Sequence, residues 1–189
     1  GHQCFINEDA NIIKTNISVK YKKRYVQNHL YIPPSSGLCL RSSLIKNQLF
    51  DINHHYQRLL QINPAGTGAA GLFVGLVRDL DDAHVEAMQL DHYPGMTEKS
   101  IEKILGHAEE RWPLLGCHVI HRVGTMAPSE QIVLVMVASA HRDAAFAGAQ
   151  YIMDCLKTEA VFWKNEQSDL GQGWVESTSE DQARAKLWD

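Results

Sequence analysis

The sequence predicts an α+β fold in which helices pack on a mixed, mainly antiparallel sheet. Apolar strand segments and amphipathic helices alternate along the chain, and neighbouring strand segments are close enough in sequence to pair antiparallel. The 189 residues, 44% of them apolar and 21% charged, can build one domain with its own core and an extension. The longest strongly apolar stretch, Ile132–Ala140, has nine residues, whereas a membrane-spanning helix needs about 20.

The first half of the predicted domain contains a strand, a helix and two further strands. Leu44–Leu49 is a short strand segment, and Asp51 can cap a following helix whose apolar side carries Leu59. A turn rich in proline and glycine then ends this helix and opens the apolar strand Ala69–Val77. A less regular alternation predicts the next strand from Val85.

The second half shows clearer helical and strand periods. Apolar residues at helical spacing predict two long helices, and β-branched runs predict two strands around a turn. Ser179 and Gln182 have the spacing of a capping box, which predicts a last short helix. The other elements are the helix Thr97–Trp112, the strands Cys117–Val123 and Gln131–Ala140 with the turn Gly124–Ser129 between them, and the helix Arg142–Lys157.

Charge divides the chain into two unlike segments. Residues 1–41 carry six Lys or Arg against two acids, and they include the basic run Lys20–Tyr25 and the turn-rich linker Pro33–Gly37. We predict a basic extension and linker here, outside a working domain formed by residues 42–189; the extension is either solvated or a contact for an acidic surface such as nucleic acid. The remaining residues carry twelve basic against twenty acidic groups, which argues against a nucleic-acid enzyme.

Cysteine and histidine spacing indicates no metal site. The four cysteines lie at least 35 residues apart, without the close pairs of zinc and redox motifs. None of the ten histidines forms a His-x-x-x-His pair on a predicted helix. The beginning of the sequence has no charged segment followed by an apolar one, so no secretory signal is predicted. Free thiols fit a reducing, cytoplasmic location.

Two apolar strands run directly into basic residues. Val77 is followed by Arg78, and the strand that ends at Ala140 is followed by His141 and Arg142 at the start of a helix. Ligands in folds of this kind gather where strands end and helices begin. These two strand ends are therefore the first candidates for a binding site.

Arg142 is the more unusual of these cations. A positive charge at a helix N-terminus opposes the helix dipole, at a cost of about 0.3 to 1 kcal/mol when exposed. A bound anion would remove this conflict, because backbone N–H groups, dipole and guanidinium would all attract it. A salt bridge to Asp143, Asp79 or Glu166 explains the same arrangement equally well, and the sequence leaves both explanations open.

Two lysines add to the candidate site. Lys157 closes the helix that Arg142 opens, where a cation is favourable for structural reasons alone. Lys164 follows Val161-Phe162-Trp163, and an ammonium among apolar groups loses solvation, which lowers its pKa and makes a neutral amine available as base or nucleophile. The alternative is a lysine that extends from the rim of the core, with Glu166 as its partner.

Seven short motifs follow one another along the predicted domain. They are Gly75-Leu76-Val77-Arg78, Asp91-His92-Tyr93-Pro94-Gly95-Met96-Thr97-Glu98, Arg111-Trp112-Pro113-Leu114, His121-Arg122-Val123-Gly124, Ser139-Ala140-His141-Arg142, Asp154-Cys155-Leu156-Lys157 and Phe162-Trp163-Lys164-Asn165-Glu166. Together they closely resemble the catalytic (large) subunit of molybdopterin synthase. The resemblance spans about Leu44 to Trp188, leaves residues 1–41 outside, and is more specific than any single motif.

The resemblance implies a sulfurtransferase of molybdenum cofactor synthesis with a hammerhead-like α+β fold. Members of the family convert cyclic pyranopterin monophosphate into molybdopterin by installing its two dithiolene sulfurs. The sulfur arrives as a thiocarboxylate on the C-terminal glycine of a small ubiquitin-like carrier subunit. Two large subunits form a homodimer with a carrier at each end, which makes a heterotetramer. The transfer requires no metal and no other cofactor, and neither nucleic acid nor a membrane is an expected partner.

The resemblance also implies which residues form the pocket. Lys157 and Lys164 correspond to catalytic lysines, which would hold the thiocarboxylate and shuttle protons; a covalent lysine intermediate stays an open alternative. Arg78, His141 and Arg142 would bind the phosphate and the pterin, since a planar fork of donors suits a phosphate. The remaining pocket positions are Leu76, Val77, Asn165 and Glu166.

Three positions depart from the family pattern. Val161 stands where the family often has proline, Leu76 replaces a frequent lysine in the first motif, and Asn165 replaces a frequent basic residue in the last. The pair His121-Arg122 is interpreted as structural, at a strand end beside a turn. Two other classes of function remain: a non-catalytic module that binds a pterin or the carrier's tail, and a regulator whose basic extension binds nucleic acid.

Overall fold

The computed structural model describes residues 25–26, 29–30, 39–78, 85–160, 162–168, 171–175 and 177–189. These ranges contain strands and helices in alternation. In chain order they are β1 (Tyr25–Val26), β2 (His29–Leu30), β3 (Leu40–Lys46), α1 (Ile52–Leu60), β4 (Ala69–Leu76), β5 (Val85–His92), α2 (Met96–Arg111), β6 (Leu114–Arg122), β7 (Gly124–Met126), β8 (Gln131–Ser139), α3 (Arg142–Thr158), β9 (Phe162–Ser168), β10 (Gly171–Val175) and α4 (Ser179–Lys186). No helix within these ranges is long and apolar enough to cross a membrane.

The strands form two four-stranded sheets and one small pair. The first sheet has the order β3-β6-β8-β4 and the second has the order β10-β9-β5-β7, while β1 pairs with β2. Within the described residues β3 and β6 run parallel, and the other pairs are antiparallel. This arrangement confirms the predicted α+β fold with a mixed, mainly antiparallel sheet.

The first sheet carries the main core because helices cover both of its faces. α2 and α3 pack on one face, where Val135, Val137 and Ile152 are fully buried. α1 packs on the other face, over Leu134 and Met136. Successive residues of β8 therefore enter different clusters, as the two-residue period of a strand requires. Burying one such side chain contributes about 1.5 to 3 kcal/mol.

α3 begins beside the start of β4 and runs in the same direction as that strand. The Gly68 N–H donates to the Ser139 carbonyl at 3.0 Å, just before α3 begins. A Cβ at Gly71 would lie 2.6 Å from the Ala145 carbonyl oxygen, so only glycine lets the helix approach this closely. The helix has 17 residues and, at 1.5 Å per residue, is about 25 Å long. It therefore ends near the far end of β4.

The helices begin and end close to their predicted bounds. Asp51 caps α1 as predicted, because its carboxylate accepts hydrogen bonds from the Asn53 and His54 N–H groups at 2.9 and 3.2 Å. α4 also forms, but its N-cap is Thr178, one residue before the predicted cap. The reason is that Thr178 and Asp181 satisfy each other's backbone N–H groups in a reciprocal capping box.

The strands differ more from the prediction. β3 begins at Leu40, four residues before the predicted strand, and includes the last two residues of the segment predicted as extension. β7 lies inside the predicted turn, where Gly124 adopts a φ of 88° and lets the chain pass from the first sheet to the second. The sequence does not predict β9 and β10, because their polar residues show no clear alternation.

Candidate functional site

At one end of the first sheet, Arg78 follows a backbone that is held on both sides. The Val77 N–H donates to the Glu130 carbonyl at 2.9 Å, and the Val77 carbonyl accepts from the Ser129 N–H at 2.8 Å. The Val77 side chain is buried in the core of the second sheet. Arg78 is exposed, and Leu76 before it is half exposed. The first motif thus presents its cation from a fixed position.

Lys157 lies in the last turn of α3, at this same end of the first sheet. Its Nζ is 3.0 Å from Asp181 Oδ1 on α4, and its side chain is 51% exposed. Burial alone would raise the pKa of Asp181, but hydrogen bonds from Lys157 and Thr178 outweigh burial and lower that pKa. Lys157 therefore joins α3 to α4 while half of its side chain stays open to solvent.

Lys164, Asn165 and Glu166 lie on β9, in the interior of the second sheet. Lys164 is in register with Leu90 of β5. Leu90 packs in the same buried cluster as Val77, and β9 starts only four residues after α3 ends. The three β9 positions therefore belong to the end of the molecule that carries the arginine of the first motif.

His141 and Arg142 lie at the N-terminus of α3. His141 is the N-cap residue, with φ −130° and ψ 145°, and its side chain makes no capping hydrogen bond. The Arg142 side chain is 85% exposed, and its Nε lies 3.5 Å from Oδ1 of Asp143, which is 92% exposed. Asp79 and the side chain of Glu166, the other partners considered for Arg142, lie outside the described part of the chain. A contact this exposed is worth about 0 to 1 kcal/mol, so the guanidinium stays available to an anion.

The two groups of candidate residues lie at opposite ends of the first sheet. β4 and β8 are antiparallel neighbours. Arg78, which follows β4, and His141, which follows β8, therefore leave the sheet at opposite ends of its strands. β4 has eight residues, which span about 26 Å at 3.3 Å each. One protomer therefore has Arg78, Lys157 and β9 towards one end of the first sheet, and His141 and Arg142 at the other end.

The pair His121 and Arg122 is buried, in agreement with the structural interpretation. His121 stacks on Phe162 with ring centroids 4.0 Å apart, and burial lowers its pKa to about 4. Arg122 is 4% exposed and donates to Glu130 and to the Gln131 carbonyl. Neither side chain is open to a ligand from solvent.

A hydrogen-bonded chain of three side chains lies beneath α1, and the sequence does not predict it. Ser42 Oγ is 2.7 Å from His118 Nδ1, and His118 Nε2 is 3.1 Å from His55 Nδ1. Burial, the neighbouring His55 and the charge of Arg58 together lower the pKa of His118 to about 3. The parallel pairing of β3 with β6 brings Ser42 and His118 together, and no local sequence pattern shows this pairing.

Among the described residues, no group of three or more His, Cys, Asp and Glu could hold a metal ion.

The fold and the exposed cations define a class of protein. This is an α+β domain that presents arginine and histidine side chains where strands end and a helix begins, and a lysine in the last turn of that helix, which suits a small anionic ligand. Comparison with known proteins makes the class specific. The family model described as MoaE protein matches residues 45–159, and the chain belongs to this family of molybdopterin synthase catalytic subunits.

Individual relatives agree over most of their length. The molybdopterin synthase catalytic subunit of Pseudomonas aeruginosa is 50% identical over 131 residues, which cover 69% of this chain and 87% of the relative. The protein of the same name from Vibrio cholerae is 46% identical over 146 residues, 77% of this chain and 96% of the relative. The solved structure of a molybdopterin biosynthesis MoaE protein from Burkholderia ambifaria superimposes with a TM-score of 0.69 at 45% identity, and covers 79% of this chain and 98% of its own.

Proposed function

We propose that the chain transfers sulfur from the C-terminal thiocarboxylate of a small ubiquitin-like carrier subunit to cyclic pyranopterin monophosphate, and so forms the dithiolene of molybdopterin. The observation that carries this proposal is the exposed Arg142 at the N-terminus of α3, whose ion pair among the described residues is the exposed contact with Asp143. Its guanidinium, together with the helix N-terminus, suits a phosphate group. The family membership supplies the reaction to which this anion site belongs.

Roles for the other residues follow from where the structure places them. Lys157 is half exposed at the end of α3, so its amine can move protons while the thiocarboxylate sulfur replaces an oxygen on a substrate carbon, that oxygen leaves in protonated form, and water cleaves the resulting thioester to release the carrier as its carboxylate. Lys164 on the adjacent strand β9 shares that role, with Asn165, Glu166, Leu76 and Val77 as neighbouring pocket positions. Arg78 and His141 complete the binding of phosphate and pterin.

A second copy of the chain completes the site. β4 is an edge strand of the first sheet with an uncharged sequence, and it leaves Leu72, Phe73 and Leu76 between 41% and 51% exposed. Phe146 on the neighbouring helix is 67% exposed. Long apolar edge strands are templates for pairing, and the exposed apolar side chains of β4 lie on both faces of this edge. These features support the homodimer.

A two-fold axis through the middle of β4 accounts for the separated residues. Two copies of β4 paired antiparallel would place the start of one strand beside the end of the other. His141 and Arg142 of one copy would then lie next to Arg78 and Lys157 of its partner. Each dimer would hold two composite sites, and one carrier bound at each gives the proposed heterotetramer.

The location and the division of the chain complete the proposal. The described cysteines, Cys39, Cys117 and Cys155, are buried and unpaired, as expected of a cytoplasmic protein. We propose that the basic extension covers residues 1–39, because Leu40 and Arg41, the last two residues of the extension predicted as 1–41, belong to β3. The catalytic domain is then residues 42–189 together with these two.

Reconstitution tests the proposed function. The purified chain, a thiocarboxylated carrier and cyclic pyranopterin monophosphate are combined, and molybdopterin is measured by the fluorescence of its oxidised product. We expect product from the wild type and none from Lys157→Ala, which loses only a half-exposed ion pair and stays folded. The matched control is Lys186→Ala, which removes a lysine from the last turn of α4 and should keep its activity.

The alternative outcome is equally informative. A folded wild-type chain that binds both carrier and pterin but yields no product would be a non-catalytic binding module. Unchanged turnover in Lys157→Ala would remove that lysine from the mechanism while leaving the sulfurtransferase intact.

A further inference from the structure

The turn between β7 and β8 has a strained backbone. The Glu130 N–H donates to the Ala127 carbonyl at 3.1 Å, which closes a four-residue turn with Pro128 and Ser129 at its centre. Ser129 has a φ of 68°, and it is the one residue other than glycine in the described ranges with a positive φ. A positive φ at the third position of such a turn normally selects glycine. Something outside Ser129 must therefore hold this conformation.

Side-chain hydrogen bonds of Arg122 and Glu130 fix the conformation of this turn. One terminal nitrogen of Arg122 donates both to Glu130 Oε2 at 3.2 Å and to the Gln131 carbonyl at 2.8 Å. Glu130 Oε2 also accepts the Ala127 N–H at 3.3 Å. Arg122 is 4% exposed, and its Nε finds no hydrogen-bond partner among the described residues. A buried guanidinium with an unused donor costs free energy. The positive φ of Ser129 and the unpaired Nε of Arg122 are therefore two unfavourable features at or next to this turn.

The structural consequence of these penalties is the position of Val77. The strained turn supplies both hydrogen bonds of the Val77 backbone, one from the Ser129 N–H and one to the Glu130 carbonyl. These bonds extend the pairing of β4 with β8 past a bulge between Gly75 and Leu76, where the regular register breaks. After the bulge, Leu76 lies opposite Gln131 of β8, and the two Val77 bonds hold the next residue, directly before Arg78.

We infer that Arg122 and Glu130 are positioning residues for Arg78. They fix the turn, the turn fixes the Val77 backbone, and Val77 fixes the direction in which Arg78 leaves the sheet. Conformational penalties of this kind persist where the surrounding structure over-determines them, and they concentrate at functional sites. The inference rests on the proposed function, in which Arg78 binds the anionic part of the substrate, and extends that site to two side chains that never touch the ligand.

A double-mutant cycle tests the inference. The dissociation constant of cyclic pyranopterin monophosphate is measured by calorimetry for the full-length chain in complex with its carrier, as wild type, Arg78→Ala, Glu130→Gln and the double variant. If Glu130 acts through Arg78, we expect Glu130→Gln to weaken binding about tenfold in the wild-type background and less than about twofold in the Arg78→Ala background. Equal weakening in both backgrounds, or none in either, would overturn the inference.

Controls separate positioning from general loss of structure. Glu109→Gln removes another Arg–Glu pair, Arg41 Nε to Glu109 Oε2 at 3.3 Å, away from the turn, and should leave the dissociation constant unchanged. Glu130→Asp keeps the charge of the pair and should restore most of the affinity lost in Glu130→Gln. If Glu130→Gln does not fold, the same cycle with Arg122→Lys gives the answer, and equal effects in both Arg78 backgrounds again overturn the inference.

The cycle measures binding and the reconstitution measures product, so the two proposals can fail separately. Coupling between Glu130 and Arg78 without product would support the positioning role and reject the sulfurtransferase. Product without coupling would do the reverse. A wild type that does not bind the pterin would reject both.

Discussion

The two ends of the first sheet present cations in opposite ways. At the β4 end, Arg78 follows a Val77 that is hydrogen-bonded on both sides and buried in a second core. At the β8 end, the Arg142 side chain is 85% exposed and contacts only the equally exposed Asp143 among the described residues. The first end is rigid within one chain, and the second is open.

In the proposed dimer, this difference would divide a binding site between two copies of the chain. A rigid cation can act as a fixed reference for substrate, since its geometry does not depend on assembly. An open cation at a helix N-terminus gains a defined position only when a ligand or another surface covers it. The proposed dimer would thus combine one prearranged half-site with one that assembly completes.

The largest effect is expected from disrupting the proposed dimer. Leu72→Asp places a charge on the exposed apolar side of β4, where the wild-type leucine is 42% exposed. The dimer should dissociate in sedimentation velocity and nearly all product formation should be lost, while each monomer keeps its circular dichroism spectrum. Leu49→Asp, at a leucine that is 60% exposed outside this edge, is the matched control. An active Leu72→Asp monomer would show that one chain holds a complete site.

The open half-site is tested by Arg142→Ala. Loss of a charge-assisted contact to phosphate should raise the KM for cyclic pyranopterin monophosphate about tenfold or more. The free energy of unfolding should change by less than about 0.5 kcal/mol, because the side chain is exposed. Arg184→Ala, which removes an exposed arginine from α4, serves as control. An unchanged KM would mean that Arg142 serves only the ion pair with Asp143 and does not bind the phosphate.

A pH-dependent loss of stability is expected from His118, which lies beneath α1. The pKa of His118 is about 3 in the folded chain, below the usual value of about 6.5. Between these values the unfolded chain binds a proton that the folded chain excludes, so this contribution to stability is full above pH 6.5 and is lost as pH falls towards 3. Urea unfolding should become easier by about 2 to 3 kcal/mol between pH 7 and pH 4.

The variant His118→Gln identifies the source of that pH dependence. Its free energy of unfolding should be lower at pH 7 but should fall less steeply on acidification. His121, with a pKa of about 4, contributes in the same direction and leaves a residual slope. A slope identical to that of the wild type would show that His118 titrates normally in the folded chain.

The smallest effect is expected from Asp181→Asn. This variant removes the ion pair with Lys157 but keeps an amide oxygen near Thr178, so α4 should lose no more than about 1 kcal/mol of stability. Product formation should persist, since in the proposed mechanism Lys157 acts on the carrier tail and does not need its ion pair with α4 for that role. A loss as complete as that of Lys157→Ala would instead give the lysine a structural role.

Much of the fold could be predicted because local signals decide it. Asp51 and the helical spacing of apolar residues in α3 determine two helices without help from the rest of the chain. β9 lacks such a signal, because its polar residues become a strand only by pairing with β5 and β10. The contact between Ser42 and His118 depends on parallel pairing between strands 76 residues apart, which no local pattern encodes.

The candidate site shows the same limit. The sequence indicates Arg78, His141 and Arg142 because each follows an apolar strand, and that signal is local. The sequence does not show whether β4 and β8 run in the same direction. Their relative direction decides whether the three residues lie at the same end of the sheet. Since the strands are antiparallel, the residues that the sequence groups together are separated in one chain. Arg122 and Glu130 escape prediction because their effect passes through a backbone contact with Val77.

The most direct test of the divided site is complementation between two impaired variants, assayed at a substrate concentration well below the wild-type KM, where Arg142→Ala should keep about one tenth of the wild-type activity or less and Lys157→Ala none. Arg142→Ala and Lys157→Ala are co-expressed with distinguishable tags, and product is measured on the mixed population. In a mixed dimer, one site would carry both substitutions and the other neither. We predict that activity returns to about one quarter of the wild-type value with random pairing. No activity above that of the single variants would contradict the account, and would place the complete site within one chain.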